Sequence, residues 1–375
     1  MPEKRIVLVG GGSGGHFYPT IAVAERLREH ATVEQPLALY YFGPEKYNET
    51  SLQENNITFV RIPTGKRRKY FSFLNFLDVF KVFFGIFFAL VQLYKIYPDA
   101  VFSKGGYTSV PVVIAAWLLR IPIMIHESDT KAGTANKLGG KFARYIAIAF
   151  DEVAPQFPKE KTALVGMPIR KALLSKVDNP KEKLNLPKDR PLIFVTGGSL
   201  GSQRINRLIL ESLDELLPHY SILHQTGEKN EEEVQQTSGE LITNTDLLTN
   251  YFVKGMLSAT EVHLAQSAAD IVISRAGTGT IFEIAQKGVP AILIPIPEDI
   301  SHDQRSNAYA YARAGAASVM EEANLTDGLL TAEITRIMSS PEVYKKMAAA
   351  AVTFGSRDAA ETVANTLIEI AQEHV

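Results

Sequence analysis

Two glycine-rich segments follow short apolar runs, a pattern typical of loops that bind phosphate. The first is GGGSGGH at 10–16, after the run 5–9, and the second is TGGSLGSQRIN at 196–206, after 191–195. Glycine lets the backbone turn tightly and expose its N–H groups, and a helix that follows directs its positive end to the same point. Each segment is therefore a candidate anion site, and two of them suggest two nucleotide-fold domains facing each other across a cleft.

His16 directly follows the first loop. Gly10, Gly12 and Gly15 match the dinucleotide fingerprint, whose usual partner is an acidic residue at the end of the second strand. Here that strand ends in Tyr-Phe-Gly at 41–43, which argues against a dinucleotide. An imidazole beside an anion site suits a general base, because its ordinary pKa lies near neutrality. The alternative is that His16 only borders a helix N-terminus.

A second group of polar residues follows two further predicted strands. Gly105-Gly106 comes after the strand 99–103 and makes a third candidate loop, and the sequence His-Glu-Ser-Asp at 126–129 ends the strand 121–126. In open parallel sheets, the carboxyl edge of the strands lines the crevice where ligands bind. A surface loop would give the same residue pattern, so both interpretations stay open.

The second half of the chain contains a turn that resembles a nucleotide site. The segment SRAGTGTIFEIAQKGVP at 274–290 predicts a strand, a tight turn and a helix whose first amides can bind a diphosphate. Glu283, about a turn and a half into that helix, can accept hydrogen bonds from both hydroxyls of a ribose. The alternative is an acid that stabilises the helix dipole. Further polar groups that could fix a sugar begin the next helix, at His302, Asp303, Gln304 and Asn307.

Residues 70–97 are strongly apolar and follow a basic cluster, Lys-Arg-Arg-Lys at 66–69. The longest uncharged part, 82–94, is shorter than the roughly 20 residues that a spanning helix needs. The segment holds more phenylalanines than one buried stripe can take: Phe71, Phe73, Phe76, Phe80, Phe83, Phe84, Phe87 and Phe88. Cations beside exposed aromatic rings suit an anionic membrane surface, and a core helix after a solvated turn is the alternative.

Composition limits the remaining classes. A chain of 375 residues fits two domains better than one. A net charge of −2 gives no reason to expect nucleic acid, and the absence of cysteine excludes disulfides and thiolate chemistry. The N-terminal residues have neither signal-peptide nor transit-peptide character.

Short apolar runs alternate with helical patterns through both halves, which predicts an α/β fold with doubly wound parallel sheets. Predicted strands of the first half are 5–9, 37–42, 57–62, 99–103, 121–126 and 144–149, with helices at 18–30, 45–54, 74–96, 108–119 and 134–141. Those of the second half are strands 191–196, 221–226, 248–253, 270–274, 289–294 and 316–319, with helices at 203–216, 259–268, 278–287, 302–314 and 326–338. The proline-rich stretch 155–191 is predicted to be an interdomain connection, and the last 35 residues to be helical.

Taken together, the motifs resemble those of the MurG family, the glycosyltransferases of peptidoglycan synthesis with the GT-B fold. The matching segments span nearly the whole chain in order: 10–27, 103–127, 136–137, 165–170, 196–206, 224–227, 274–297 and 304–317. No single motif is unique to the family, but the ordered set is specific. The resemblance implies an N-terminal acceptor and membrane-binding domain at 1–165, a UDP-GlcNAc-binding domain at 166–351, and a C-terminal helix, about 352–375, packed back on the first domain.

The implied reaction is the transfer of N-acetylglucosamine from UDP-GlcNAc to undecaprenyl-diphospho-N-acetylmuramoyl-pentapeptide. The implied place is the cytoplasmic face of the inner membrane, to which the protein would bind peripherally. Inversion at the anomeric carbon needs one direct displacement, with no covalent enzyme intermediate. The resemblance implies no cofactor and no metal, with helix N-terminal amides stabilising the departing UDP.

Site residues are carried over by position. His16 is the family's place for the base, and the first glycine loop faces the diphosphate of the acceptor. Substrate-binding positions in the first half are Ser13, Gly14, Gly15, Tyr107, His126, Glu127 and Asp129. Donor contacts are Arg170, Ser199, Val253 on the uracil side, Thr278, Gly279, Thr280, Ile281, Phe282, Glu283 and Gln304.

This chain departs from the family pattern at four places. Asp129 stands where the family usually has Asn, Met167 where it often has Asn, and Ala132 where a Pro is common. The segment 256–269 is longer than usual. Three other functions stay open at this point: a related GT-B enzyme acting on another lipid or small acceptor, a nicotinamide oxidoreductase, and a non-catalytic lipid-sensing module.

Overall fold

The computed structural model describes residues 3–65, 73–301 and 303–373, with the backbone alone over 73–80. The predicted basic cluster, Phe71, the side chains of Phe73, Phe76 and Phe80, and His302 lie outside the described residues. The chain divides into two compact units. Unit 1 comprises 1–172 and 357–375, and unit 2 comprises 173–356.

Unit 1 is built on a parallel sheet of seven strands within the described residues. The strands are β1 (Lys4–Val9), β2 (Leu37–Gly43), β3 (Ile57–Arg61), β4 (Ala100–Ser103), β5 (Ile123–Glu127), β6 (Tyr145–Ile148) and β7 (Thr162–Leu164). Their order across the sheet is β3-β2-β1-β4-β5-β6-β7. Successive side chains of a strand point to opposite faces. Ile6 and Leu8 of β1 therefore join one core, and Val7 and Val9 join the other.

Helices connect these strands and cover both faces of the sheet. They are α1 (Gly14–His30), α2 (Glu49–Glu54), α3 (Phe73–Ile96), α4 (Val110–Leu118) and α5 (Thr134–Phe142). Short 3-10 helices lie at Asp151–Gln156 and Lys159–Lys161.

Over residues 81–96, helix α3 buries one narrow stripe and exposes a row of phenylalanines. Gly85, Ala89 and Leu93, each four residues from the next, form its buried stripe, and α3 packs against α4. A Cβ at Gly85 would lie 2.2 Å from the Pro63 carbonyl oxygen, so only glycine fits there. The outward face carries four phenylalanines that are 46–67% exposed: Phe83, Phe84, Phe87 and Phe88. Among the described residues, no helix is long and apolar enough to cross a membrane.

Unit 2 has a second parallel sheet, of six strands over the described residues. The strands are β8 (Leu192–Thr196), β9 (Ser221–Gln225), β10 (Tyr251–Lys254), β11 (Ile271–Ser274), β12 (Ala291–Leu293) and β13 (Ala317–Val319), in the order β10-β9-β8-β11-β12-β13. The helices up to residue 355 are α6 (Lys171–Leu174), α7 (Pro180–Lys183), α8 (Gln203–Leu216), α9 (Glu231–Leu241), α10 (Ala259–Ala268), α11 (Thr278–Lys287), α12 (Gln304–Arg313), α13 (Asp327–Met338) and α14 (Pro341–Gly355). Further 3-10 helices lie at Glu228–Asn230, Thr245–Asn250 and Glu322–Asn324.

The last helix, α15 (Ala359–Glu373), belongs to unit 1. Val363, Leu367 and Ile370 enter the same core as Ile6 and Leu8 of β1. At its start, Asp358 accepts a hydrogen bond of 2.8 Å from Arg26 of α1. The end of the chain thus completes one face of the sheet on which the chain begins.

The predicted fold class is confirmed: both halves are doubly wound parallel sheets. The stretch 155–191, predicted to be a connection, contains β7, and Val165 just after it is buried in unit 1. Strand β7 is three residues long between proline-rich turns, too short for a period of two to stand out. Helix α9 was also missed, because its first turn is acidic and only Val234 and Ser238 are buried.

Candidate functional site

Three neighbouring strands of unit 1 bring the predicted acceptor residues to one edge. Strands β1, β4 and β5 are adjacent in the sheet, and all run in the same direction. Their carboxyl ends lead into the loops 10–13, 104–109 and 128–133. Residues that are far apart in the sequence therefore meet where open parallel sheets bind their ligands.

Hydrogen bonds from neighbouring elements fix the first glycine loop. The Tyr41 hydroxyl donates to the Gly10 carbonyl at 2.6 Å, and the Gly11 N–H donates to the Thr108 hydroxyl at 3.0 Å. Ser13 is the N-cap of α1, and its side chain makes no capping hydrogen bond. Because Gly14 and Gly15 form the first turn, their N–H groups lie outside the i→i−4 ladder of α1. An anion at this point would meet both amides and the positive end of the helix.

His16 lies in the first turn of α1, partly buried against the third loop. A Cβ at Gly106 would come within 3.3 Å of its Nε2 atom, so the ring rests on a bare backbone. Within the described residues, Nδ1 has no hydrogen-bond partner. Burial and the Lys104 charge lower the His16 pKa to about 4, although Asp129 and a hydrogen bond to the Lys104 backbone act in the opposite direction. The ring is therefore neutral at pH 7 and able to accept a proton.

Glu127 holds the loop that follows β5. Its Oε1 accepts the N–H groups of Ser128 at 2.8 Å and Asp129 at 3.1 Å. Its Oε2 accepts the N–H of Gly133 at 2.9 Å and the Asn136 amide at 3.0 Å. Burial raises the Glu127 pKa, while these hydrogen bonds and the Lys104 charge lower it. With four donors on one buried carboxylate, Glu127 shapes the loop that presents Asp129, which is partly exposed.

His126 and Tyr107 have different environments. His126 is fully buried, with Nε2 2.8 Å from the Gly166 carbonyl oxygen. Burial, followed by the Lys104 charge, keeps its pKa well below the ordinary value. Tyr107 is partly exposed, and its ring covers Gly12, where a Cβ would lie 2.7 Å from the ring. Of these two predicted residues, only Tyr107 reaches the surface of the site.

Lys104 is a residue of this site that sequence reasoning missed. It is 1% exposed, and its ammonium donates to the Ser128 hydroxyl. Burial lowers its pKa to about 8, while the carboxylates of Glu127 and Asp129 raise it. A lysine is almost never fully buried unless it is paired. Its position between the buried strand β4 and Gly105-Gly106 was the available signal.

Arg170, predicted as a donor contact in the second domain, belongs to unit 1. Its guanidinium lies 4.4 Å from the centre of the Tyr18 ring on α1, a cation–π contact. Its charge also lowers the pKa of Glu25, which burial raises. Within the described residues, its Nε has no hydrogen-bond partner.

In unit 2, the second glycine loop is pressed against the end of β9. Gly198 and Gly201 have φ angles of +91° and +72°, which favour glycine. A Cβ at Gly201 would lie 1.8 Å from the Thr226 carbonyl oxygen, so the loop has no room for a side chain there. Ser199, the predicted contact residue, is exposed at the tip of the loop.

A network of buried neutral groups supports this loop. His224 Nδ1 lies 2.7 Å from the Tyr251 hydroxyl, and Nε2 lies 3.1 Å from the Asn206 side-chain oxygen. The Asn206 amide donates in turn to the Thr226 carbonyl at 3.0 Å. Because the Asn206 side-chain oxygen can only accept, His224 donates from Nε2 and accepts at Nδ1 from the Tyr251 hydroxyl. Burial lowers the His224 pKa to about 3, which keeps the ring neutral.

The turn before α11 leads into a second helix N-terminus that could bind an anion, after that of α8. Gly279 and Thr280 lie in its first turn and are partly exposed, and the Thr278 hydroxyl accepts from the Asn307 amide at 3.1 Å. Ile281 already donates its N–H to the Gly277 carbonyl at 3.0 Å. The side chains of Ile281 and Phe282 are buried in the core of the unit. An anion at this turn would therefore meet backbone N–H groups at the very start of α11.

The three remaining predicted donor residues lie in α11, at the start of α12 and in β10. Glu283 accepts a hydrogen bond of 3.3 Å from the Gln266 amide, which orients its carboxylate. The Gln304 side-chain oxygen accepts from the Ile296 N–H at 3.2 Å. Val253, near the end of β10, is partly buried against the core.

Arg275 connects the glycine loop before α8 to the turn before α11. Its guanidinium donates to the Ser202 hydroxyl at 2.7 Å and pairs with Glu322 at 3.0 Å. It also donates to the Ile294 carbonyl oxygen at 3.1 Å. Because Ser202 caps α8 and Arg275 precedes the turn before α11, this contact fixes the two helix N-termini relative to each other.

Family models match both parts of the chain. The glycosyltransferase family 28 N-terminal domain matches residues 6–148, and the glycosyltransferase family 28 C-terminal domain matches residues 192–363. This chain belongs to glycosyltransferase family 28. The family predicted from the motifs is thereby confirmed, and so is the class of enzyme, a glycosyltransferase.

Bacterial members of family 28 match over nearly their full length. A Bacillus cereus protein named UDP-N-acetylglucosamine–N-acetylmuramyl-(pentapeptide) pyrophosphoryl-undecaprenol N-acetylglucosamine transferase 2 is 36% identical, with 98% of this chain and 99% of that protein covered. A Clostridium kluyveri protein named as the same type of transferase is also 36% identical, over 97% of this chain and 99% of its own.

Solved structures agree with the family. The crystal structure of Acinetobacter baumannii MurG matches with a TM-score of 0.76 and 25% identity, covering 98% of this chain and 99% of that one. A UDP-GlcNAc 2-epimerase from Neisseria meningitidis, solved with UDP-GlcNAc bound, matches with a TM-score of 0.69 and 16% identity, covering 97% of this chain and 100% of that one. The second likeness is one of fold alone.

The His224 network predicts a pH-dependent stability of unit 2. In the unfolded chain His224 titrates near 6.5, and in the folded unit near 3, so the unfolded state binds more protons between these values. Stability is then lost as the pH falls below 6.5, by about 2 kcal/mol between pH 7 and pH 5 from this residue. We expect His224→Gln to abolish this contribution to the loss of stability between pH 7 and pH 5.

The free energy of unfolding of unit 2 is measured by urea titration at pH 7 and at pH 5. Hydrogen exchange of the β8 and β9 amides reports the unfolding of this unit. His219→Gln is the matched control, because His219 is exposed in the same unit. An identical pH dependence in wild type and His224→Gln would contradict the prediction.

Proposed function

We propose that this protein transfers N-acetylglucosamine from UDP-GlcNAc to undecaprenyl-diphospho-N-acetylmuramoyl-pentapeptide. The observation that carries the proposal is the match, over nearly its full length, to family 28 transferases named for that donor sugar and that acceptor. The two units support it separately, because each presents a glycine loop and a helix N-terminus at the carboxyl edge of a parallel sheet.

Unit 2 binds the donor in this proposal. The amides at the start of α11 and the loop that carries Ser199 face the diphosphate, where helix N-termini favour negative charge. Glu283 accepts hydrogen bonds from the ribose hydroxyls, and Gln266 keeps its carboxylate oriented. Gln304 binds the sugar, and Val253 lies on the uracil side. Arg170 of unit 1 is assigned as a further donor contact from its motif position alone.

Unit 1 binds the acceptor. The first turn of α1, with Ser13, Gly14 and Gly15, faces the acceptor's diphosphate. Tyr107 and Asp129 flank this loop, and the buried residues His126 and Glu127 hold the loop around Asp129 in place. A neutral His16 beside an anion site is the arrangement that proton abstraction from a sugar hydroxyl requires.

The reaction is a single displacement. The acceptor hydroxyl oxygen attacks the anomeric carbon, a C–O bond forms, and the bond from that carbon to the UDP oxygen breaks. His16 takes the hydroxyl proton, and the electron pair of the broken bond leaves with UDP. The charge that develops on the diphosphate is stabilised by the amides at the N-termini of α8 and α11. No covalent enzyme intermediate forms, so the anomeric configuration inverts.

The exposed face of α3 is proposed to bind the anionic surface of the inner membrane from the cytoplasmic side. Four phenylalanine rings on one helix are each about half or more exposed, a larger apolar surface than solvated helices normally carry. Lys81 and Lys95 are exposed on the same helix. Each cation near such a surface adds about 1 kcal/mol to binding. An acceptor with a polyprenyl chain is confined to the membrane, so peripheral binding brings unit 1 to it.

The proposal is tested by incubating the protein with UDP-GlcNAc and the lipid-linked muramoyl-pentapeptide, with products read by mass spectrometry. We expect a disaccharide-pentapeptide lipid and free UDP. UDP-GlcNAc with a polyprenyl-diphosphate that lacks the muramoyl sugar serves as the control acceptor. Transfer to the control with none to the muramoyl lipid would contradict the assigned acceptor.

Substitutions at His16 and Glu283 separate the two proposed roles. His16→Ala should lower kcat by about 10²- to 10⁴-fold while UDP-GlcNAc affinity is nearly retained, because only the proton acceptor is lost. Glu283→Ala should instead weaken UDP-GlcNAc binding, because the ribose loses its carboxylate partner. Steady-state kinetics and calorimetric titration with UDP-GlcNAc measure the two effects. Normal turnover in both variants would show that the roles are wrongly assigned.

The membrane proposal predicts a loss of vesicle binding when the exposed rings are removed. Phe84→Ser with Phe87→Ser should weaken binding to phosphatidylglycerol vesicles on the order of tenfold or more, because both rings leave the interface. Thermal stability should be nearly unchanged, since both side chains are more than 60% exposed. Val33→Ser is the control, a residue that is 99% exposed in a loop of unit 1. Equal vesicle binding by wild type and the double variant would contradict the proposal.

A further inference from the structure

Lys104 places a buried ammonium among the three loops of the unit 1 site. Its side chain packs against Gly10, where a Cβ would lie 2.7 Å from Lys104 Cβ, and its ammonium reaches Ser128 beyond the end of β5. The Lys104 side chain thus extends from the end of β4 to the end of the neighbouring strand β5. At 1% exposure, the ammonium cannot itself contact a substrate in solution.

Two groups of opposite charge act on His16 from different loops. Lys104, after β4, disfavours the protonated imidazole, and Asp129, after β5, favours it. Glu127 lies next to Lys104 and partly compensates its charge. On the remaining side, the ring rests on the bare backbone of Gly106. The protonation state of His16 is therefore set by burial and by these charged side chains.

A bound diphosphate would disturb this balance. An anion near a base raises the pKa of that base by about 1 to 3 units, and the first turn of α1 is the place where the anion would lie. From the ordinary histidine value of 6.5, such a rise would leave the imidazole protonated at pH 7 and unable to accept a proton. When the His16 pKa starts at about 4, the same rise brings it closer to neutral pH, where a general base works best.

We propose that Lys104 is a positioning residue, whose buried ammonium holds His16 in its neutral, proton-accepting form while the acceptor's diphosphate is bound beside it. The inference rests on the proposed function, in which His16 is the base. It assigns to Lys104 a role that acts through His16 and not through contact with substrate. Asp129 has the opposite effect on the same imidazole.

The test measures the His16 pKa directly, by NMR of ¹³C-labelled histidine in the free protein, with the His16→Gln spectrum assigning the signal. In Lys104→Met, we expect the pKa to rise, because the repelling charge is gone. In Asp129→Asn, it should fall. The double variant should lie between the two. Lys141→Met, at an exposed site of the same unit, is the control and should leave the pKa unchanged.

Turnover gives a second readout. In Lys104→Met, the acid limb of the pH profile of kcat should move to higher pH, because the His16 pKa is higher. Each pH unit of this shift lowers kcat on the acid side tenfold. At high pH, kcat should recover toward the wild-type value, which a merely distorted loop would not do. UDP-GlcNAc affinity should not change, because the proposed donor contacts other than Arg170 lie in unit 2.

The inference is overturned if the His16 pKa is the same in wild type, Lys104→Met and Asp129→Asn. Should Lys104→Met fail to fold, the double variant is compared with Asp129→Asn alone. A higher pKa in the double variant supports the inference, and equal values overturn it. Full turnover in His16→Ala would show that His16 is not the base. A wild-type protein that forms no disaccharide product would overturn the proposed function itself, whatever the titrations show, so these failures are distinguishable from a failure of the inference.

Discussion

The glycine-loop edge of unit 1 depends on two buried side chains of opposite charge, Glu127 and Lys104. An ionised carboxylate is costly to bury unless hydrogen bonds and an opposite charge compensate it. Burial raises the pKa of Glu127, and the Lys104 charge and the hydrogen bonds from the loop after β5 and the start of α5 act against that rise. The loop that presents Asp129 and the charge that acts on His16 are thus fixed by the same interaction.

In unit 2, neutral groups support the glycine loop. Its glycine loop must stay close to the end of β9, and a chain of neutral donors from Tyr251 through His224 to Asn206 holds the strand end in shape. This network adds no charge beside the helix amides that would meet an anion. The two units use the same topology with different electrostatics, as expected if one handles proton transfer and the other binds a leaving diphosphate.

The sequence predicted the sheets, both glycine loops and the placement of His16, because these features depend on local patterns. Apolar runs mark buried parallel strands, and a glycine run between a strand and a helix is typical of a tight turn that exposes backbone amides. Lys104 and the His224 network were not predicted, because their roles depend on which strands become neighbours. Strand β7 was missed for a different reason: three residues between prolines give no measurable period. The side chains of Ile281 and Phe282 belong to the core, which a motif comparison does not distinguish from a binding position.

In the proposed direct displacement, His16 takes the proton and UDP leaves from the opposite face of the sugar. The anomeric configuration of the new linkage tests this mechanism most directly, since one displacement inverts the α configuration of UDP-GlcNAc. NMR of the disaccharide formed from ¹³C-labelled UDP-GlcNAc and the lipid-linked acceptor reads this configuration. We predict a β linkage, with no glycosylated protein detected by mass spectrometry during turnover. An α linkage, or a sugar covalently attached to the chain, would contradict the mechanism.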